Sequence, residues 1–311
     1  MCWITGASRA GLFVRKKLRR IFDRTLRRVR GALIKRPRQH DVPAEILASP
    51  SSSVHGPPRP LVDPVQKLML FWMHRCGSTT AQLWFFEAAG WQARIPGKGA
   101  SQIAPLWYEE HATLYQDLDA IYRQNEYRKI AVIRDPFARV VSAFSVVTDT
   151  ISGAQWRAVS RSVKEPDDER RLTFLEFLTF LETIDLSKAN FHWRLQTAQD
   201  WYEKKLTDVL FARVEHLQED LNRISEDLGI SQISIRRSSA TTKVTTSKPG
   251  VDVTRLTRYD LAKHFGRDRR GVIRFPDYQN FLTDETIPRI VKLYARDFEV
   301  LGYAQDPREP G

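Results

Sequence analysis

The sequence predicts an α/β fold, with a central parallel sheet flanked by helices. Three observations carry that prediction. At Lys67–Met73, and again at Lys129–Ile133, a near-continuous apolar run gives way to a short polar turn and then to an apolar pattern of helical period. Strands buried on both faces read as unbroken apolar runs, and helical crossovers join parallel neighbours. The third is size: 311 residues, 42% of them hydrophobic, can bury one large core and still carry an appendage.

The appendage comes first. Residues 1–40 hold thirteen Lys and Arg against one acid, Asp23, while the whole chain carries +12, so residues 41–311 sum to zero. The basic character belongs to this arm and not to the body. Val14, Leu18, Ile21, Phe22, Leu26, Val29 and Leu33 recur in it at helical spacing, which predicts a basic amphipathic helix suited to an anionic membrane surface. An acidic partner or a mitochondrial-type import signal also fits such a segment, and nucleic acid fits it less well. Residues 41–64 are rich in Pro and Ser and read as a linker, so the folded domain is expected over 65–311. No apolar stretch approaches transmembrane length. Cys2 and Cys76 are too few for a disulfide framework, which points to a reducing, cytoplasmic setting with peripheral membrane contact open to the arm.

The first turn of the body is His74-Arg75-Cys76-Gly77-Ser78-Thr79-Thr80. It follows a strand and opens a helix through Ala81, Leu83, Trp84, Phe85, Ala88 and Ala89, ended by Gly90. Such a corner aims backbone N–H groups and the positive helix end at an anion. Gly77 permits close approach, Ser78, Thr79 and Thr80 add hydroxyls, and Arg75 adds charge. The glycine-rich nucleoside-triphosphate loop is absent.

Tyr115, Leu118, Ile121 and Tyr122 mark a helix before the second strand. Beyond that strand, Arg134 occupies the strand end, the usual ligand position in open α/β sheets. Asp135 fits an N-cap and Pro136 the first helical position. Phe137, Val140, Val141, Phe144 and Val147 continue the helix. Ser142, two turns in, could face back to Arg134. Residues 149–171 are polar and read as a surface loop or lid. Thr173 to Glu176 is a capping box opening a helix to about Leu181. Glu215 to Leu228 is another helix, closed by Gly229. Residues 231–280 carry little pattern, and Asp284 to Leu301 reads as one terminal helix with Pro288 near its first turn.

The two corners together resemble the sulfotransferases that use 3′-phosphoadenosine 5′-phosphosulfate (PAPS). The run Ile133-Arg134-Asp135-Pro136-Phe137-Ala138-Arg139-Val140-Val141-Ser142 is similar to the carbohydrate (family 2-like) branch. So are His192-Trp193-Arg194-Leu195-Gln196, a strand from Val209 ending at Glu215, and Asp297-Phe298 with Gly302-Tyr303. Arg75 stands where many relatives have Lys, and a Cys-rich segment common in animal Golgi members is missing. The resemblance implies a P-loop-like sulfotransferase fold. It implies a PAPS site, leaving PAP (adenosine 3′,5′-bisphosphate) as product, formed by Arg75, Cys76, Gly77, Ser78, Thr79, Thr80, Arg134 and Ser142. Ser247 and Lys248 resemble the late loop that closes over the nucleotide.

Sulfuryl transfer demands positioning and charge stabilisation more than covalent chemistry. Arg75 would stabilise the leaving phosphate. His192 is the first choice for the base, His111 the second and Glu87 the third. Trp193 and Arg194, with Gln196, are expected to meet a carbohydrate or glycolipid acceptor, in a pocket built from residues 95–112, 149–171 and 231–280. The seven His and two Cys show no metal-ligand spacing. Two other classes compete: a nucleotide-dependent kinase, disfavoured by the missing Gly-Lys-Ser/Thr, and a non-catalytic membrane-surface binding protein.

Overall fold

The computed structural model of the chain describes residues 59–149, 172–230, 233, 251–268 and 273–308. The basic arm, most of the linker, the loop expected after 149, and Ser247 and Lys248 lie outside the described residues.

Four strands form one sheet in the order β1 (Leu61–Asp63), β2 (Leu68–Phe71), β3 (Arg128–Ile133), β4 (Val209–Arg213). β2, β3 and β4 are parallel, as the apolar runs predict. β1 is antiparallel to β2, with Leu61 opposite Leu70, so the sheet is mixed. β1 also falls where the sequence reads linker. Three residues after a Pro-rich run carry no period. They join the sheet because Leu61 and Val62 bury completely and the Asp63 carboxylate accepts the N–H groups of Val65 and Gln66 to make the turn.

Between β2 and β3 run α1 (Ser78–Ala88), α2 (Trp91–Arg94), α3 (Ala100–Glu110) and α4 (Leu118–Tyr122). Between β3 and β4 run α5 (Pro136–Asp149), α6 (Phe174–Leu181) and α7 (Asp200–Glu203). After β4 come α8 (Leu217–Asp227), α9 (Arg258–Phe265), α10 (Thr286–Leu293) and α11 (Ala295–Leu301). Strand side chains alternate between two cores, as the two-residue pleat requires. Leu68, Leu70, Ile130, Val132 and Ala212 pack with α1, α3 and α8. Met69, Phe71, Ala131 and Ile133 pack with Ile121, Tyr122, Trp201 and Leu301 on the other face. A third cluster, built on Phe137, Phe144, Phe174, Phe177 and Phe281, fastens α5 to the later helices.

Three elements differ from their sequence expectation. Part of the stretch expected as an acceptor loop, Ala100–Glu110, is helix α3, with Pro105 inside it and Ile103 and Trp107 buried. The Gln102 side chain accepts the Gly99 N–H at 3.1 Å to cap it, and Trp107 packs on Phe85, Phe86 and Trp91. Tertiary packing outweighs the Gly and Pro signals there. The terminal helix is two helices, broken at Tyr294, whose ring is buried and whose hydroxyl donates to the Trp193 carbonyl at 2.9 Å. Glu215 sits in a 3-10 turn, and α8 begins only at Leu217. The capping box holds: Glu176 accepts the Thr173 N–H at 2.8 Å, and Thr173 accepts the Glu176 N–H at 3.3 Å.

Candidate functional site

The carboxyl ends of β2 and β3 open onto the two corners. After Phe71 the chain makes a turn that places Arg75 at φ 68° and Gly77 at φ 57°. A Cβ on Gly77 would lie 3.1 Å from Leu217 and 3.3 Å from Val214, so both the backbone angle and the close packing of α8 demand glycine. No side chain caps α1. The Ala81 N–H bonds to the Gly77 carbonyl, which leaves the Ser78, Thr79 and Thr80 N–H groups at the positive helix end without intrahelical acceptors. The Cys76 N–H is not among them, since it bonds to the Met73 carbonyl at 3.2 Å.

Three guanidinium groups gather about the loop that leads to this end. Arg75 grips the Ser142 hydroxyl through Nε at 2.9 Å and Nη2 at 2.6 Å. Arg134 donates from Nη1 to the Arg75 carbonyl at 3.0 Å. Ser142 thus turns to Arg75 and not, as its spacing suggested, to Arg134. Arg139 is 1% exposed and reaches Met73 Sδ at 3.0 Å and the Phe191 carbonyl at 3.4 Å. Among the described residues no carboxylate pairs with any of the three. Nε of Arg134 and Nε of Arg139 are buried without a partner. Burial, and next the charge of Arg134, hold the Arg75 guanidinium down to about 10, so it stays charged at neutral pH. Enclosed cations without counter-ions are costly, and a multiply charged anion removes that cost.

A buried amide locks the corners together. Gln196 Oε1 accepts the Arg134 N–H at 2.9 Å and the Cys76 thiol at 3.1 Å, while Nε2 donates to the Arg134 carbonyl at 2.8 Å. The Asp297 carboxylate on α11 accepts the N–H groups of Gln196 at 2.8 Å and Thr197 at 3.0 Å. Cys76, expected in the donor cradle, and Gln196, expected at the acceptor, therefore have their side chains turned to the frame. Asp135 caps α5, accepting the Phe137 N–H at 2.7 Å. Glu215 accepts the Asp135 N–H at 3.1 Å and the Tyr303 hydroxyl at 3.0 Å. Burial, and the nearby Glu215 carboxylate, push the Asp135 carboxyl up to about 6.

His192 lies at this site, its ring centroid 4.6 Å from that of His74. His74 stacks on Phe191 at 4.7 Å and meets the edge of Trp72 at 5.5 Å. Burial first, then His74, Arg75 and Arg139, push His192 down to about 3, and its Nδ1 is buried without a partner. His74 and Arg139 are site residues that sequence reading passed over, although one directly precedes Arg75 and the other lies three residues before Ser142. The other expected residues stand apart. His111 stacks on Trp107 at 4.0 Å, with Nδ1 2.9 Å from the Trp107 carbonyl oxygen, and contacts none of the three arginines. Its contacts make it a packing residue at the end of α3. Glu87 is exposed on α1. Trp193 is 3% exposed and packs edge-on against Phe177 and Phe180, which makes it core and not an acceptor wall. Arg194 is half-buried beside the charges of Glu203, Asp200 and Asp185.

An open groove of about 660 Å³, walled by Trp201, Tyr202, Phe211 and Arg296, shares no lining residue with the arginine site. Among the described residues no helix is long and apolar enough to cross a membrane, and no three His, Cys, Asp or Glu side chains gather as a metal site. Residues 58–304 match the family model described as the sulfotransferase family. No curated protein and no solved structure gives a significant match.

Proposed function

The chain belongs to the sulfotransferase family, and from that premise we propose that it transfers a sulfuryl group from PAPS to a hydroxyl of a carbohydrate or glycolipid. One observation carries the placement of the donor. Arg75, Arg134 and Arg139 gather, without a carboxylate pair among the described residues, about the Met73–Arg75 loop that leads to the uncapped N-terminus of α1. A donor with phosphates at its 5′ and 3′ positions supplies the missing negative charge. The Ser78, Thr79 and Thr80 N–H groups and hydroxyls suit the 5′-phosphosulfate, and Arg134 with Ser142 suits the 3′-phosphate.

When bound, PAPS supplies the sulfuryl group and a phosphate leaving group. Arg75 spans the two halves and would stabilise the negative charge that builds on the departing 5′-phosphate oxygen. The acceptor hydroxyl oxygen forms the new bond to sulfur as the bond to that phosphate oxygen breaks, and the hydroxyl proton passes to His192. Gln196 and Asp297 hold the corners in register so that these groups stay in line. The similarity of Ile133–Ser142 to the carbohydrate branch supports the acceptor class. The charge of residues 1–40 supports peripheral contact with an anionic membrane, where a glycolipid would be met.

Calorimetric titration with PAP, against AMP and ATP, tests the donor site. Micromolar binding that requires the 3′-phosphate is expected, and a preference for ATP would overturn it. Labelled sulfate transfer from PAPS to a panel of glycans and glycolipids tests the acceptor.

A further inference from the structure

We propose that donor binding arms the base: the donor's phosphates neutralise the guanidinium groups around the His74–His192 pair and so make that pair able to accept a proton. The inference rests on the sulfotransferase function proposed above and deepens it.

The packing comes first. His74, on the loop before α1, and His192, just ahead of Gln196, lie with ring centroids 4.6 Å apart against Phe191. Two imidazoles this close hold one proton between them far more readily than two. The surrounding charge comes next. Arg75 directly follows His74, and Arg139 reaches the carbonyl of Phe191, the neighbour of His192. Among the described residues, the other polar side chains that hold these segments are already engaged. The Asp297 carboxylate holds backbone N–H groups, the Tyr294 hydroxyl holds the Trp193 carbonyl, and the Cys76 thiol holds Gln196. Finally, Nδ1 of His192 is buried without a partner, so a charged ring there would enclose an unsatisfied N–H donor.

Burial, His74, Arg75 and Arg139 together push His192 down to about 3, which leaves it a poor proton acceptor at neutral pH. The donor's 3′-phosphate brings roughly −1.5 to −2 charge and its 5′-phosphosulfate adds further negative charge, and together they cancel the arginine field, although not the burial. The proton affinity of the pair then rises toward the ordinary imidazole range of about 6.5, where a general base works best near neutrality. His192 would touch the acceptor hydroxyl. His74 acts through it and is a positioning residue.

Calorimetry of the full chain with PAP near pH ~6, in two buffers of different ionisation heat, reads the protons taken up per PAP bound. PAP's own phosphates titrate in this range, so the double variant His74→Gln/His192→Gln sets the baseline. The wild type should take up roughly half to one proton more than the double variant, with each single variant between them. Its PAP affinity, relative to that variant, should rise up to about tenfold per pH unit as pH falls below ~6.5. Equal uptake would overturn the proposal. Should the variants not fold, nitrogen-15 imidazole spectra of the wild type at the same pH decide it. A ring that passes from neutral to protonated on adding PAP supports the proposal, and no change in any ring overturns it. Failure of the wild type to bind PAP overturns the donor site as well; binding without excess proton uptake overturns this inference alone.

Discussion

Arg134 joins the two corners through its side chain and lies at the end of the central strand. Arg134→Ala should weaken PAP binding by about 1.5–3 kcal/mol, the scale of a charge-assisted hydrogen bond. Unchanged affinity by calorimetry would remove Arg134 from the site. Gln196 is fully buried and serves both corners at once. Gln196→Ala leaves polar groups of Arg134 and Cys76 unsatisfied and should cost about 1–3 kcal/mol of stability for each, read as a lower urea midpoint. Two titrating residues act on stability in opposite senses. His192 is pushed down to about 3, so its contribution is present above the ordinary imidazole range and is lost as pH falls toward 3. Asp135 is pushed up to about 6, so its contribution is present at low pH and is lost as pH rises through 6. His192→Gln should therefore lose less stability than the wild type between about pH 6.5 and 4, measured by urea unfolding at each pH. An equal loss in both proteins would mean that His192 titrates alike in the folded and unfolded chain, so that the fold does not hold it neutral.

Among the elements, the corner leading into α1 depends most on one residue. Gly77 has a left-handed backbone, and α8 packs close against it. Gly77→Ala should destabilise by about 1–3 kcal/mol, from the backbone conformation and the shift it forces on Leu217. Because Ser78, Thr79 and Thr80 follow directly, it should also weaken PAP binding. A variant with wild-type thermal stability and affinity would show that the corner tolerates a side chain. The sequence made α1, α5 and the capping box of α6 legible because their signals are local: a glycine before a Ser-Thr-Thr turn, an Asp-Pro start, a Thr-x-x-Glu spacing. It left α3 and β1 unread because neither has a local signal. α3 carries Pro105 and follows two glycines, and forms because Trp107 finds an aromatic cluster from α1 and α2. β1 is three residues long and exists only through its pairing with β2.

At the scale of the whole molecule, the basic arm and the neutral body divide the charge between them. The body carries the arginine site, and the arm carries the case for membrane contact. Deleting residues 1–40 should leave PAP affinity unchanged and abolish sedimentation with anionic lipid vesicles. A truncated protein that still sediments would place the membrane contact in the body. Neutral vesicles should release the full-length protein, and raised salt should do the same, since screening weakens exposed charge over about 8–10 Å.

The sequence by itself determined the parallel strands, the two strand–turn–helix corners and the family resemblance that the match over residues 58–304 bears out. Those properties follow from residue type at short spacing, which the chain carries wherever it folds. Only the tertiary structure decided what the side chains do. It gave Ser142 to Arg75, turned Cys76 and Gln196 into a buried brace, put Trp193 in the core and His111 against Trp107, and set His74 beside His192. The physical reason is separation along the chain. Each of these contacts but one joins segments distant in sequence, brought together by sheet pairing and by Asp297 on the last helix. The exception, His111 on Trp107, depends on a helix that packing alone created.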